Sequence, residues 1–235
     1  MNIVITGASK GIGKAIAEAF AEDKQGHHFF LCARNKLELE QTGKELQARF
    51  PRINMYTKTC DVGDKTDIVQ FVKWIFSHTD KVDILVNNAG IFYPGAVHNE
   101  DEGMLEKMMQ VNVYGTYHLT RMLLPEMMKV KRGHIFNICS IASLHAYNNG
   151  GAYSISKFAM YGFSKNLREE MKPYDIKVTH VLPGASYTSS WIGSGIDPTR
   201  IMEAADIAKM IYAAAQLSPQ ACVEEIIIRP QLGDL

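Results

Sequence analysis

Asn2-Ile3-Val4-Ile5-Thr6-Gly7-Ala8-Ser9-Lys10-Gly11-Ile12-Gly13 opens the chain with a short β-branched apolar run, then three closely spaced glycines, and Ala15 to Ala21 follow with apolar residues at helical spacing. A strand that passes through a glycine-rich turn into a helix is the first half of a parallel βαβ unit. The spacing G-x-x-x-G-x-G differs from the dinucleotide pattern G-x-G-x-x-G, so the turn is a variant. Its physical logic is unchanged. Without side chains at 7, 11 and 13, backbone N–H groups can approach a pyrophosphate, and the helix N-terminus adds favourable partial charge. A plain tight βα turn is the alternative reading.

The same alternation continues along the chain. Apolar runs at Ile3 to Ile5, His28 to Cys32, Ile53 to Thr59, Val82 to Val86, His134 to Cys139, Ile176 to Leu182 and Glu225 to Ile228 are separated by helical patterns. Those patterns lie at Ala15 to Ala21, Leu37 to Arg49, Thr66 to Phe76, Met104 to Lys129, Ala152 to Met171 and Ala204 to Gln216. Strand and helix in alternation predict an α/β fold, a Rossmann-type doubly wound parallel sheet of about seven strands with helices on both faces. Such strands are expected to be buried on both sides. Pro125 inside the long helix predicts a kink or an end near Leu124. Ala185 to Ile201 has no clear period and reads as a mobile lid, about residues 185–203. The length of 235 residues fits a single domain, 1–235, with a nucleotide-binding half over about 1–110 and a catalytic and substrate half over about 111–235.

Lysine plus arginine equals aspartate plus glutamate at 25 each, so no net field recruits nucleic acid or an anionic membrane, and a small molecule is the expected partner. Four cysteines, at 32, 60, 139 and 222, form no C-x-x-C pair and read as buried thiols in a reducing cytosol. No apolar run has the length to span a bilayer, and the strand at Asn2 directly follows Met1, so a cytoplasmic location is expected. Among eight histidines only His27 and His28 are adjacent, and no metal site is predicted.

Two further signals bear on chemistry. After the second strand the chain reads Ala33-Arg34-Asn35, where an NAD enzyme presents a carboxylate to the ribose 2'-hydroxyl. Arg34, helped by Lys10, is positioned to clamp a 2'-phosphate by charge-assisted hydrogen bonds. Two solvated surface cations are the alternative. Tyr153 and Lys157 stand at i and i+4, on one helix face, so a phenol and an ammonium reach the same ligand. Tyr161 and Lys165 repeat the spacing, but eight helical residues advance about 12 Å along the axis. Ligands bind beyond the carboxyl ends of parallel strands. The helix after the strand Gly133 to Cys139 begins near Gly151, which puts Tyr153 in its first turns. Tyr161 and Lys165 are expected deeper in the fold, in packing and surface roles.

Thr6 to Gly13, Asn87-Asn88-Ala89-Gly90, Asn112, Ser140, Tyr153 with Lys157, and Pro183-Gly184 followed by Thr188 occur in that order. The chain thereby resembles the short-chain dehydrogenase/reductase family over nearly its whole length. The resemblance implies an NADP(H)-dependent oxidoreductase whose cofactor contacts include Gly7, Ser9, Lys10, Gly11, Ile12, Gly13 and Arg34. It further implies Asp61 at the adenine, Asn88, Ala89 and Gly90 at the adenosine ribose, and Pro183, Gly184 and Thr188 at the nicotinamide. Asn112, Ser140, Tyr153 and Lys157 are implied as the catalytic set, with Lys157 also holding ribose hydroxyls and Asn112 anchoring a proton-return water. Asn112 as a structural hydrogen-bonding residue stays open. Hydride transfer to a carbonyl builds charge on oxygen, which Ser140 would hold and Tyr153 would protonate. Bringing a phenol from a pKa near 10 to near 7 takes about 4 kcal/mol. An exposed ion pair gives at most about 1 kcal/mol, so a desolvated pocket is required in which Lys157 and the positively charged oxidised nicotinamide act together. Family members commonly form homodimers or homotetramers through two long helices, to which the methionines at 104, 108, 109, 122, 127 and 128 are candidate contributors; ordinary core is their alternative.

Pro183 to Trp191, and the tail from Val223 to Pro230 with Gly233-Asp234, resemble the bacterial sepiapterin reductases. That likeness implies reduction of a pterin side-chain ketone, with Trp191 covering the flat ring and Asp234 meeting its amino groups. Plain lid packing for Trp191 and a frayed end for Asp234 are the alternatives. A reductase of another ketone, such as a 3-oxoacyl group, or a non-catalytic nucleotide-sensing protein are the other functional readings.

Overall fold

Side chains alternate across a strand, and in this sheet both directions meet apolar cover. The computed structural model describes residues 1–188, 191, 193 and 195–234. The strands are β1 (Asn2–Thr6), β2 (His28–Ala33), β3 (Asn54–Thr59), β4 (Ile84–Asn87), β5 (Gly133–Ile138), β6 (Ile176–Pro183), β7 (Ser186–Tyr187), β8 (Met202–Glu203) and β9 (Glu225–Ile228). The helices are α1 (Gly11–Ala21), α2 (Lys36–Arg49), α3 (Lys65–Phe76), α4 (Met104–Met109), α5 (Thr116–Val130), α6 (Gly151–Met171) and α7 (Ala204–Ala215). Ile3, Ile5, Phe29, Leu31, Val86 and Phe136 point to one face, where α1, α2 and α7 bring Ile16, Phe20, Leu39, Leu46, Ile207 and Ile211. Val4, Phe30, Leu85, Ile135 and Val178 point to the other, against Ile68, Phe71 and Ile75 of α3, Leu119 and Leu123 of α5, and Leu167 of α6.

The main sheet runs β3-β2-β1-β4-β5-β6-β9, with every neighbouring pair parallel. The order reverses between β1 and β4, which makes their carboxyl ends the crevice where a ligand fits. The expectation that all seven runs are buried on both sides holds for the central strands and fails at the edges. β3 is intermediate or exposed along its whole length, and β9 buries one residue of four. An edge strand has cover on fewer sides, so Asn54, Tyr56 and Lys58 are tolerated there.

Pro125 does not end its helix. α5 continues through it to Val130, because Pro125 lies on the exposed flank beside Arg121, whose freed carbonyl water can satisfy. The interruption falls earlier, in a π-helical turn at Gln110–Gly115 between α4 and α5. Of the methionines in this stretch, Met108 and Met127 are fully buried, whereas Met109, Met122 and Met128 are partly buried against core clusters. Part of the expected lid is structured. β7 pairs with β8 in a short parallel ladder, and the Arg200 guanidinium donates to the main-chain carbonyls of Leu232, Gly233 and Asp234. Ser189, Ser190, Ile192 and Ser194 of that segment lie outside the described residues. Among the described residues no helix is long and apolar enough to cross a membrane.

Gly115 closes the π turn with no room to spare, since a Cβ there would stand 2.2 Å from the Val62 carbonyl oxygen. Gly115→Ala is therefore expected to destabilise the fold by about 1–3 kcal/mol. Gly162→Ala, on the exposed flank of α6 with nothing within 4 Å, is expected to stabilise it, by roughly 0.5–1 kcal/mol. Urea unfolding midpoints that move in the same direction for both variants would contradict this packing.

Candidate active site

The floor of the crevice is a set of bonds between the loops that follow β1 and β4. Thr6 Oγ1 accepts the backbone N–H groups of Asn88 at 3.0 Å and Ala89 at 2.9 Å. Asn88 Nδ2 donates back to the carbonyls of Thr6 at 2.9 Å and Gly7 at 3.0 Å, so this side chain braces the glycine turn. Gly7 and Gly11 have φ of +64° and +56°, values that side-chain-bearing residues adopt only with strain. A Cβ on Gly13 would stand 2.5 Å from the Gly7 carbonyl and 2.6 Å from Asn88 Nδ2. α1 then starts after Lys10 with no side-chain cap, which leaves Ile12 and Gly13 among its first-turn amides for an anion. Thr188, from the lid, closes on the same turn: a Cβ on Gly11 would lie 3.2 Å from its Cγ2.

Beyond the turn the structure places a residue that the sequence reading passed over. Lys10 Nζ lies 3.3 Å from Glu38, and Ser9 Oγ donates to the same carboxylate at 3.5 Å. Arg34 is exposed and, among the described residues, makes no ion pair or hydrogen bond. Lys10 is thus not a free clamp: Glu38, one helical turn after Arg34, already holds it. The signal was present, for Asn35 caps α2 by accepting the Glu38 N–H at 3.2 Å, and Asn-x-x-Glu is a helix-start pattern. Asp61 sits in the turn after β3, where Oδ1 accepts the Gly63 N–H at 2.8 Å.

The catalytic candidates gather at the carboxyl end of β5. Ser140 follows that strand and its hydroxyl lies beside the Tyr153 phenol, which comes from the first turn of α6. Burial pushes the Tyr153 pKa above its ordinary value, and the neighbouring Ser140 hydroxyl only partly offsets this. The Lys157 ammonium does not hydrogen-bond the phenol oxygen. Lys157 Nζ stands 5.8 Å from the Tyr153 ring centre and donates to the Ile138 carbonyl at 3.0 Å. Lys157 is 7% exposed, and burial lowers its pKa. Gly90 borders it: a Cβ there would lie 3.8 Å from Nζ and 3.3 Å from Asn112 Oδ1.

Asn112 lies in the π turn, fully engaged as a brace. Its Oδ1 accepts the Ile91 N–H at 2.8 Å, and Nδ2 donates to Ile91 O and Ser156 Oγ, each at 3.0 Å. Both amide hydrogens are used, which leaves one Oδ1 lone pair for any further partner. Two aromatic residues absent from the sequence reading flank Tyr153. Phe92 packs edge-on at 4.8 Å between ring centres, and the Tyr147 pKa is pushed up to about 12 by burial and by Tyr153 beside it. Both sit in loops, where periodicity carries no signal.

Tyr161 and Lys165 lie outside this cluster, but not deeper in the fold. Tyr161 donates to Glu225, and Lys165 donates to the Tyr161 oxygen at 3.3 Å, forming a solvent-facing trio. At the far rim, Gly184 N–H donates to Ile228 O at 2.8 Å, and a Cβ on Gly184 would meet Asp234 Oδ1 and Pro230 Cδ at 3.0 Å. Asp234 is not a frayed end, for it forms an ion pair with Arg229. Trp191 is half-buried, and its N–H donates to Thr188 O at 3.0 Å. Cys32, Cys60 and Cys139 are buried thiols as expected, whereas Cys222 is partly exposed.

A family model for short chain dehydrogenases matches residues 1–195. The chain is 35% identical over 240 aligned residues to a sepiapterin reductase of Chlorobaculum tepidum, covering 99% of this chain and 97% of that protein. Among solved structures, an alcohol dehydrogenase of Thermococcus sibiricus complexed with 5-hydroxy-NADP superposes with a TM-score of 0.90 at 26% identity, over 100% of this chain and 98% of that one. The L-sorbose reductase of Gluconobacter frateurii, complexed with NADPH and L-sorbose, gives 0.87 at 26% identity over 97% and 94%.

A buried ammonium bonded to a carbonyl costs stability. Lys157→Met is expected to raise the unfolding free energy at pH 7 by about 1–2 kcal/mol. Because the native pKa of Lys157 lies below its ordinary 10.5, the unfolded chain holds that proton more tightly, and wild-type stability recovers as pH rises between the two values. The advantage of the variant should therefore shrink in urea titrations at alkaline pH. A variant less stable than wild type at pH 7 would contradict it.

Proposed function

The chain belongs to the short-chain dehydrogenase family, and from that premise we propose that it reduces a ketone carbonyl with NADPH, the ketone being a side chain of a flat pterin-like ring. The observation that carries the chemistry is the Ser140 hydroxyl beside the Tyr153 phenol, with the Lys157 ammonium one helical turn further along at the same strand end. The glycine turn fits the cofactor: Gly7 and Gly11 hold positive φ, and Gly13, with no room for a Cβ against Gly7 O, seats an uncapped helix N-terminus directly on the turn. Gly7, Ser9, Gly11, Ile12 and Gly13 would hold the pyrophosphate; Lys10 and Arg34 the 2'-phosphate. Asp61 would border the adenine, Asn88 to Gly90 the adenosine ribose, and Pro183, Gly184 and Thr188 the nicotinamide. NADPH, when bound, supplies the hydride.

Ser140 donates a hydrogen bond to the carbonyl oxygen and sets it against Tyr153. Tyr153 gives that oxygen its proton. A phenol whose pKa lies above its ordinary value is protonated at neutral pH, the state that a general acid for reduction needs. Lys157 would hold the ribose hydroxyls, and its charge would stabilise the phenolate left behind. Asn112 acts by holding the loop after β4 to α6. Phe92 and Tyr147 beside the phenol suit a flat ring, with Trp191 placed on the lid. Exposed Tyr117, Ile155 and Phe158 give α5 and α6 an apolar face suited to a homodimer or homotetramer.

Glu38 occupies the groups that a 2'-phosphate would use. Removing its charge in Glu38→Gln should tighten NADPH binding about two- to fivefold, as expected of an exposed ion pair, and leave NADH within about twofold. Fluorescence titration with both nucleotides checks this, and equal changes for the two would refute the 2'-phosphate assignment. For the substrate, the purified protein should turn over sepiapterin with NADPH at a kcat/KM at least about tenfold above that for a small diketone. Equal efficiencies would end the pterin reading and leave a general ketone reductase.

A further inference from the structure

The helix that carries Tyr153 begins without a cap of its own. Its N-cap residue is Gly150, and Gly151 and Ala152 follow, so no local side chain accepts the first-turn amides. The acceptor comes from elsewhere in the chain: the Ala152 N–H donates to Glu100 Oε2 at 3.0 Å, across a sequence separation of 52. A carboxylate there also meets the positive end of the helix dipole.

Glu100 belongs to a strap, residues 92–101, laid across the start of α6. Gly95 and Gly150 form an isolated parallel bridge, and Gly95 N–H donates to Asn149 O at 3.0 Å. The strap is folded on itself, with the N–H groups of Asn99 and Glu100 both donating to Ala96 O at 2.9 Å. Contact is close enough that side chains are excluded. A Cβ on Gly151 would stand 2.5 Å from Gly95 O and 2.6 Å from Glu100 Oε2, and one on Gly95 would stand 2.7 Å from Glu100 Cβ. Phe92, at the head of this strap, is the ring packed edge-on against Tyr153.

We propose that Glu100 is a positioning residue, whose carboxylate caps α6 and thereby fixes both the Tyr153 phenol and the aromatic wall that Phe92 builds beside it. The inference rests on Tyr153 as the proton donor of the preceding section. Glutamine at 100 keeps an oxygen for the Ala152 N–H, whereas alanine removes the cap. In the full-length protein, Glu100→Ala should accelerate amide hydrogen exchange at Ala152 and Tyr153 while leaving the central strands protected. It should also lower kcat for ketone reduction about 10- to 100-fold, as a small displacement of a catalytic group does, with the NADPH dissociation constant unchanged within about twofold. Glu100→Gln should restore most of both.

Faster exchange at Ala152 with an unchanged kcat would overturn the proposal and leave the role of Tyr153 intact. Equal losses in the alanine and glutamine variants would overturn it too, since the cap is what glutamine retains. The exchange measurement is made without substrate or nucleotide. If the wild type reduces no ketone, that result counts against the function alone, and unaltered exchange at Ala152 in Glu100→Ala still rejects the cap.

Discussion

The ammonium of Lys157 is held away from water with, among the described residues, the strand-end carbonyl Ile138 O as its one hydrogen-bond partner, and the candidate site is arranged around that constraint. Desolvation of an unpaired cation costs several kcal/mol. Two apolar layers, one on each face of the sheet, supply stability enough to carry it. The surroundings are made small or neutral to admit it. Gly90 leaves the space in front of Nζ open, Asn112 is turned aside into its brace, and the neighbouring Cys139 thiol is pushed up to about 12 by burial, so it stays uncharged. A cation so placed needs anionic or hydroxylic partners, which a nucleotide ribose and a nascent phenolate provide.

The nucleotide end follows a different logic, in which backbone does the binding and side chains hold the backbone. Thr6 and Asn88 use their polar atoms to fasten one loop to the other across the switch point, so the glycine turn is rigid before any ligand arrives. Glu38 gives the cationic corner a resident carboxylate. On the proposed assignment, selectivity at the 2'-position would be a competition between that carboxylate and the phosphate for Lys10 and Ser9, in a partly exposed setting where each contact is weak.

The seven-stranded sheet and its helices were legible because central strands are apolar in both side-chain directions and each is followed by a helical period. The edges were less so: β3 and β9 are short of cover, and their exposed residues obey no burial rule. The π turn at Gln110–Gly115 left no mark in the sequence, since it is set by Asn112 reaching Ile91, a contact between distant segments. That α5 runs on past Pro125 was hidden for a related reason, as the position of Pro125 on the outer flank depends on packing. Within the site, Tyr153, Lys157 and the glycines stood out by spacing. Glu100, Phe92 and Tyr147 did not, because they come from irregular loops and gain meaning only where the fold sets them against α6. The direction of the Tyr153 pKa was also hidden, for it is set chiefly by burial, which the spacing of residues does not report.

The most direct measurement is the rate of NADPH oxidation by Tyr153→Phe in the presence of a ketone that the wild type reduces. The phenylalanine ring keeps the packing and removes only the acid. With the proton donor placed at Tyr153, kcat should fall by about 10²- to 10⁴-fold while NADPH still binds within a few-fold of wild type. An undiminished rate would contradict it.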